Sequence, residues 1–143
     1  MIVKQVCAFI ENQTGRLSEL ADLLASNGID ISALSLADST DYGILRMLVS
    51  DPETAVRVMR DSGVVAKITE AVAVAIDDIP GGFANVVRLL STQNFEVKYM
   101  YASVGHIHGK ALMILGIDNP AAAEAIIKET ETGKIDPAEI YRI

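Results

Sequence analysis

An α+β fold of two tandem ferredoxin-like βαββαβ domains, each with an antiparallel sheet and its helices on one face, is what this 143-residue sequence predicts. Three observations lead there. The chain repeats itself at a fixed offset; each copy passes between period-two and helical patterning in the order strand, helix, strand, strand, helix, strand; and its apolar residues suit sheet and helix layers. Half of the residues are hydrophobic but only 5% are aromatic, with no Trp, so a core has to be built from Val, Ile, Leu, Ala and Met.

The repeat is direct. AFIENQTGRLSELADLLASNGIDI, residues 8 to 31, has the skeleton of VAIDDIPGGFANVVRLLSTQNFEV, residues 74 to 97. Gly15 matches Gly81, Leu17 matches Phe83, Leu23 matches Leu89 and Ile31 matches Val97, each pair 66 residues apart. Pro52 and Pro120 then stand 68 apart, so two residues enter between the second and third strands, where a hairpin turn tolerates insertion. The domains are expected at residues 1–70 and 71–143.

Element by element, VKQVCAFI is a β-rich run, and Cys7 alternates into the core of that first strand. Leu17, Leu20, Ala21, Leu23 and Leu24 recur at helical spacing, and Gly28 stops that helix. Ile29 to Ala37 is the second strand, Asp38 to Asp41 the turn, and Tyr42 to Ser50 the third strand. Asp51 caps a second helix with Pro52 at its first position, Gly63 closes it, and residues 64 to 70 form a fourth strand. That strand runs almost directly into the next first strand, Ala71 to Ile76. The second copy is expected to place a helix at Gly82 to Thr92, strands near 95–104 and 109–117, a helix from Pro120 and a last strand near 139–142. Ile31, Ala33 and Ser35 alternate with Leu34 and Leu36, so neither side of the second strand is strongly polar. A second sheet or subunit is expected to cover it, and a homodimer is predicted.

The net charge of −7 is spread over both halves, which argues against binding nucleic acid or an anionic membrane surface. The start lacks a secretory pattern and no apolar run approaches the ~20 residues of a membrane span, so a cytoplasmic protein is expected. A single cysteine excludes an internal disulfide.

The chemistry is expected in the connection from first strand to first helix: Asn12, Gln13, Thr14, Gly15, Arg16 and Leu17, repeated as Asp78, Ile79, Pro80, Gly81, Gly82 and Phe83. Glycine lets a ligand approach the backbone, and a helix start offers unpaired N–H groups that suit an anion such as an α-carboxylate.

Each copy resembles an ACT domain, the regulatory module attached to many amino-acid-metabolising enzymes. The resemblance rests on Asn12-x-x-Gly15-x-Leu17 followed by Asn27-Gly28-Ile29-Asp30-Ile31, and it covers nearly the whole chain. It implies a non-catalytic, regulatory binder of a free amino acid, held between paired domains by the first loop of one and the second-strand start of its neighbour, with an enzyme as possible partner. Carried over by position, it points to Asn12, Gly15, Ile29 and Asp30, and in the second copy to Asp78, Gly81, Phe95 and Glu96. Asp30 stands where the family often has Asn. Asp78 and Glu96 are further departures that remove donors and add negative charge, fitting either a held ammonium or a lost site, so the first copy is the better candidate. The acidic lining leans toward a polar or basic ligand side chain.

Other constellations are weaker. His106 and His108 share one side of a strand, yet no cysteine completes a metal set, so no metal is expected. Tyr99 and Tyr101 share a strand face and read as a core edge. Ser32, Ser35 and Ser39 have no activating His and Asp, and neither G-x-S-x-G nor a nucleotide-binding glycine motif occurs, so neither nucleophilic catalysis nor a cofactor is expected. Two alternatives remain: a dimerisation module without ligand, and a small ferredoxin-like enzyme cradling a phosphate ester with Arg16.

Overall fold

The computed structural model describes residues 1–39, 41–129 and 136–141, without the side chains of residues 106, 107 and 137. Its elements are β1 Ile2–Glu11, α1 Arg16–Ser26, β2 Ile31–Asp38, β3 Tyr42–Val49, α2 Pro52–Asp61, β4 Val65–Asp77, α3 Gly82–Thr92, β5 Val97–Ile107, β6 Lys110–Ile117, α4 Pro120–Lys128 and α5 Pro137–Ile140. They form two compact units, Lys4–Thr69 and Glu70–Ile143, with Met1–Val3 belonging to the latter. β4 is a single strand of 13 residues that passes from one unit into the next.

In the Lys4–Thr69 unit, β3 lies antiparallel to both β1 and β2, with Val6 opposite Met47 and Leu36 opposite Leu45. Alternation sets the faces. Val6, Ala8 and Ile10 join Leu45, Met47 and Val49 in a core closed by Leu20 and Leu24 of α1 and by Ala55, Val56 and Met59 of α2, so both helices cover one face. Gln5 and Cys7 point the other way and meet Thr69 of β4, whose hydroxyl oxygen lies 3.1 Å from the buried Gln5 Nε2 and 3.3 Å from the Cys7 thiol. α2 begins where Asp51 accepts from the Thr54 N–H at 3.0 Å, with Pro52 at its first position, where no amide hydrogen is needed.

The other unit reuses this plan. β6 lies antiparallel to both β4 and β5, and Val72, Val74, Ile76, Leu115 and Ile117 pack against Val86 and Leu90 of α3 and Ala123 and Ile127 of α4. α1 and α3 both have 11 residues and begin 66 apart, whereas β3 and β6 begin 68 apart. β5 is three residues longer than β2, and its turn, His108–Gly109, is one residue shorter than Ser39–Asp41, which accounts for the net slip of two. His108 and Gly109 both have positive φ (50° and 75°), the backbone a two-residue primed hairpin turn requires.

One expected element is corrected. The last strand foreseen near 139–142 is the short helix α5 up to Ile140, with residue 142 outside the described residues. Asp136 accepts from the Ala138 N–H at 2.9 Å and Pro137 takes the first helical position, the same start signal as Asp51–Pro52. A different segment lies beside the start of the second copy: Met1 exchanges two backbone hydrogen bonds with Ala73, at 2.8 and 2.7 Å. Sequence order put the second copy's partner strand at the far end of the chain; pairing is decided by which backbone edge is free to meet it.

Candidate functional site

The two strand-to-helix loops have one backbone design. In the first, the Gln13 N–H donates to Glu11 O (2.8 Å) and the Arg16 N–H to Gln13 O (3.2 Å); in the second, Ile79 donates to Asp77 O (2.8 Å) and Gly82 to Ile79 O (3.0 Å). Each turn ends on a left-handed glycine, Gly15 at φ 90° and Gly81 at φ 91°, a conformation that costs any other L-residue. No side chain caps α1 or α3, whereas Asp51, Asn119 and Asp136 cap α2, α4 and α5. Beyond the Arg16 and Gly82 amides, which the turns themselves engage, the next first-turn amides of α1 and α3 are left to a partner or to water.

Around the shared backbone the side chains differ. In the first copy Asn12 is engaged by the β2–β3 hairpin: its Nδ2 donates to Asp38 Oδ1 at 2.7 Å and to Ser39 O at 3.1 Å. Leu36 overlies Gly43, with its Cδ1 2.9 Å from where a β-carbon on that glycine would stand. Arg16 lies between Glu11 (3.5 Å) and Glu19 (3.4 Å), so its charge is already answered. An apolar cavity of about 190 Å³ remains beneath Leu17, walled by Leu20, Leu24, Leu34, Leu45 and Met47, and none of residues 12–14 lines it.

In the second copy the corresponding hollow opens onto the loop. A cavity of about 290 Å³ is lined by Asp77, Asp78, Ile79 and Phe83 together with Ile76, Met100, Ala111 and Met113. Phe83, Met100 and Met113 stand where the first copy has Leu17, Leu34 and Leu45. The counterpart of Leu36 is Ala102 and that of Gly43 is Ala111, so the leucine that lies over Gly43 has no equally large counterpart here. Gly82 is buried, and a β-carbon on it would sit 2.2 Å from Asp77 O; that contact holds the loop tight against the helix start. Lys110 pairs with Asp77 at 3.3 Å.

The remaining expected residues are placed as follows. Gln13, Thr14, Pro80 and Gly81 are exposed in their turns. Ile29 is buried in the core, and its N–H donates to Leu24 O at 3.0 Å. Asp30 is exposed, and its N–H donates to Ser50 Oγ at 3.0 Å. Phe95 packs against the second core and Glu96 is exposed. Within each unit the loop and the second-strand start lie at opposite ends of a helix 11 residues long, ~16 Å at the usual rise, too far for one amino acid to touch both. Ile76, Met100, Ala111 and Met113 were missed by reading the sequence; their signal, strand alternation, marks them only as inward-facing.

Among the other groups, Tyr101 is buried and the Tyr99 ring lies against Gly116. The His106 side chain is outside the described residues, and His108 Nε2 lies 2.7 Å from Glu139 Oε1 of α5. Among the described residues no helix is long and apolar enough to cross a membrane.

The fold and the duplicated loop define a paired α+β module. The sequence matches the ACT domain pair family over residues 1–142, and the chain belongs to that family. It is similar to the solved protein BT0572 from Bacteroides thetaiotaomicron, with 31% identity and a TM-score of 0.90, covering 100% of this chain and 98% of that one. It is also similar in fold to the regulatory subunit of aspartate kinase from Thermus thermophilus in its ligand-free form, at 13% identity and TM-score 0.64 over 92% and 95% of the two chains. The subunit from Thermus flavus gives 13% identity and TM-score 0.60 over 90% and 94%. No curated protein matches the chain.

Proposed function

We propose that this chain is a non-catalytic sensor of a free α-amino acid, bound at the loop before α3, and that it acts as a homodimer on a partner enzyme. The observation that carries the reading is the cavity of about 290 Å³ opening at Asp77–Ile79, at the low end of the ~300–1,000 Å³ typical of small-molecule sites. The first-turn amides of α3 suit the carboxylate, and the Asp78 carboxylate suits the ammonium. Because one unit cannot bring its own second-strand start to its loop, Asp30 and Glu96 would serve the loop of another unit. The similarity to regulatory subunits of aspartate kinase supports a partner enzyme. Signalling then requires only that the ligand bind one arrangement of the dimer better than another.

Thermal unfolding with each of the twenty amino acids and with inorganic phosphate tests this. A ligand at 100 times its dissociation constant adds about 2.7 kcal/mol, and one amino acid or one small group of them is expected to do so. Titration calorimetry is expected to find one site per chain, lost in Asp78→Ala and kept in Asn12→Ala. Silence across the amino acids would leave a dimerisation module, and a response to phosphate alone would favour the phosphate-ester reading.

A further inference from the structure

We infer that the second-copy site selects its amino acid by a neutral, apolar side chain; this rests on the amino-acid reading above. Apart from Asp77 and Asp78, every side chain lining the cavity is apolar: Ile76, Ile79, Phe83, Met100, Ala111 and Met113. The two carboxylates belong to the loop, and both are exposed. A zwitterion whose ammonium meets those carboxylates directs its side chain inward, into a space that offers dispersion contacts and no side-chain hydrogen-bond partner. A lysine or arginine head would lose its water there without a counter-charge. A glutamate would in addition face two like charges. Two methionines and a phenylalanine make a soft wall, which adapts to the shape of an apolar side chain.

The first copy clarifies why this space is available. There Leu36 lies over Gly43, whereas the counterpart of Leu36 here is Ala102, and Ala111, the counterpart of Gly43, lines the cavity. A larger residue at 111 shortens the space, and a smaller one at 113 lengthens it.

The homologous series L-alanine, L-2-aminobutyrate, L-norvaline and L-norleucine, with L-methionine, L-lysine and L-glutamate alongside, tests this by calorimetry on the full chain. The series changes only the side chain, so the ammonium and carboxylate contacts cancel. Affinity is expected to rise about tenfold per methylene, with norleucine and methionine tightest. Ala111→Leu is expected to flatten the rise, and Met113→Ala to move the optimum toward a larger side chain such as that of L-phenylalanine. The two changes act in opposite directions, so if Ala111→Leu unfolds the protein, Met113→Ala still decides. Tightest binding by lysine or glutamate, or a rise unaffected by Met113→Ala, overturns the apolar selection while leaving amino-acid sensing standing. No binding by any member of the series or of the twenty amino acids overturns the sensing reading itself.

Discussion

The two copies begin their first helices with the same turn yet leave different spaces behind it. Gly15 and Gly81 have the same φ to within a degree, and the two loops make matching backbone hydrogen bonds. The first loop is nonetheless engaged by its own hairpin through Asn12, and of its residues 12–16 only Arg16 borders a hollow, of about 260 Å³, while Asp78 and Ile79 of the second line a cavity of about 290 Å³. Backbone design has been kept through the duplication, and side-chain volume has diverged. A shared turn is therefore evidence of common folding rules, not of common ligand chemistry.

The largest test of this contrast exchanges the residue that follows the turn glycine. Gly82→Arg, which imports the residue of the first copy, drives a β-carbon into Asp77 O and is expected to cost about 3 kcal/mol of stability and to abolish the ligand response. The reverse change, Arg16→Gly, gives up only exposed ion pairs and some helix propensity and is expected to cost less than about 1 kcal/mol. Chemical denaturation of both variants decides; equal losses would mean that the two loops are equivalent after all.

A smaller effect probes what the copies share. Nothing lies within 4 Å of a β-carbon placed on Gly15 or Gly81, so Gly15→Ala and Gly81→Ala each bear only the left-handed backbone penalty, about 1–2 kcal/mol. The two losses are expected to agree, and a clear difference in denaturation midpoint would break the common-turn description.

The smallest effect concerns the second helices, which begin in the same way but with different chemistry. Asp51 accepts from the Thr54 N–H, and Asn119 from the Ala122 N–H at 3.2 Å. Hydrogen bonds from Thr54, side chain and then backbone, hold the Asp51 carboxyl below its ordinary pKa. A carboxyl with a lowered folded-state pKa stabilises above its unfolded value, and that contribution is lost as pH falls through the folded value. The protection factor of the Thr54 amide is therefore expected to fall on acidification relative to that of Ala122, whose Asn119 cap does not titrate. Parallel behaviour of the two amides would remove the distinction.

Much of this molecule was legible in order along the chain, because caps, turn glycines and hydrophobic period are local. Asp51–Pro52 announced α2, and Asp136–Pro137 carried the same signal for α5, which went unread in favour of the repeat. The loop residues Asp78, Ile79 and Phe83 were found, and all three line the cavity. The lean toward a polar or basic ligand came from the acids of the loop alone; Met100, Ala111 and Met113 lie on two later strands and bring the apolar wall.

By itself the sequence determined the duplication and its slip from 66 to 68 residues, which aligning the chain with itself displays, and the glycine turns, which depend on neighbours within a few residues. Tertiary structure alone decided that Met1 pairs with Ala73, that Leu36 lies over Gly43, and that Met100, Ala111 and Met113 meet the second loop around one cavity. Cavity volume is the difference between side chains that meet across strands and a helix, and no local pattern records that sum.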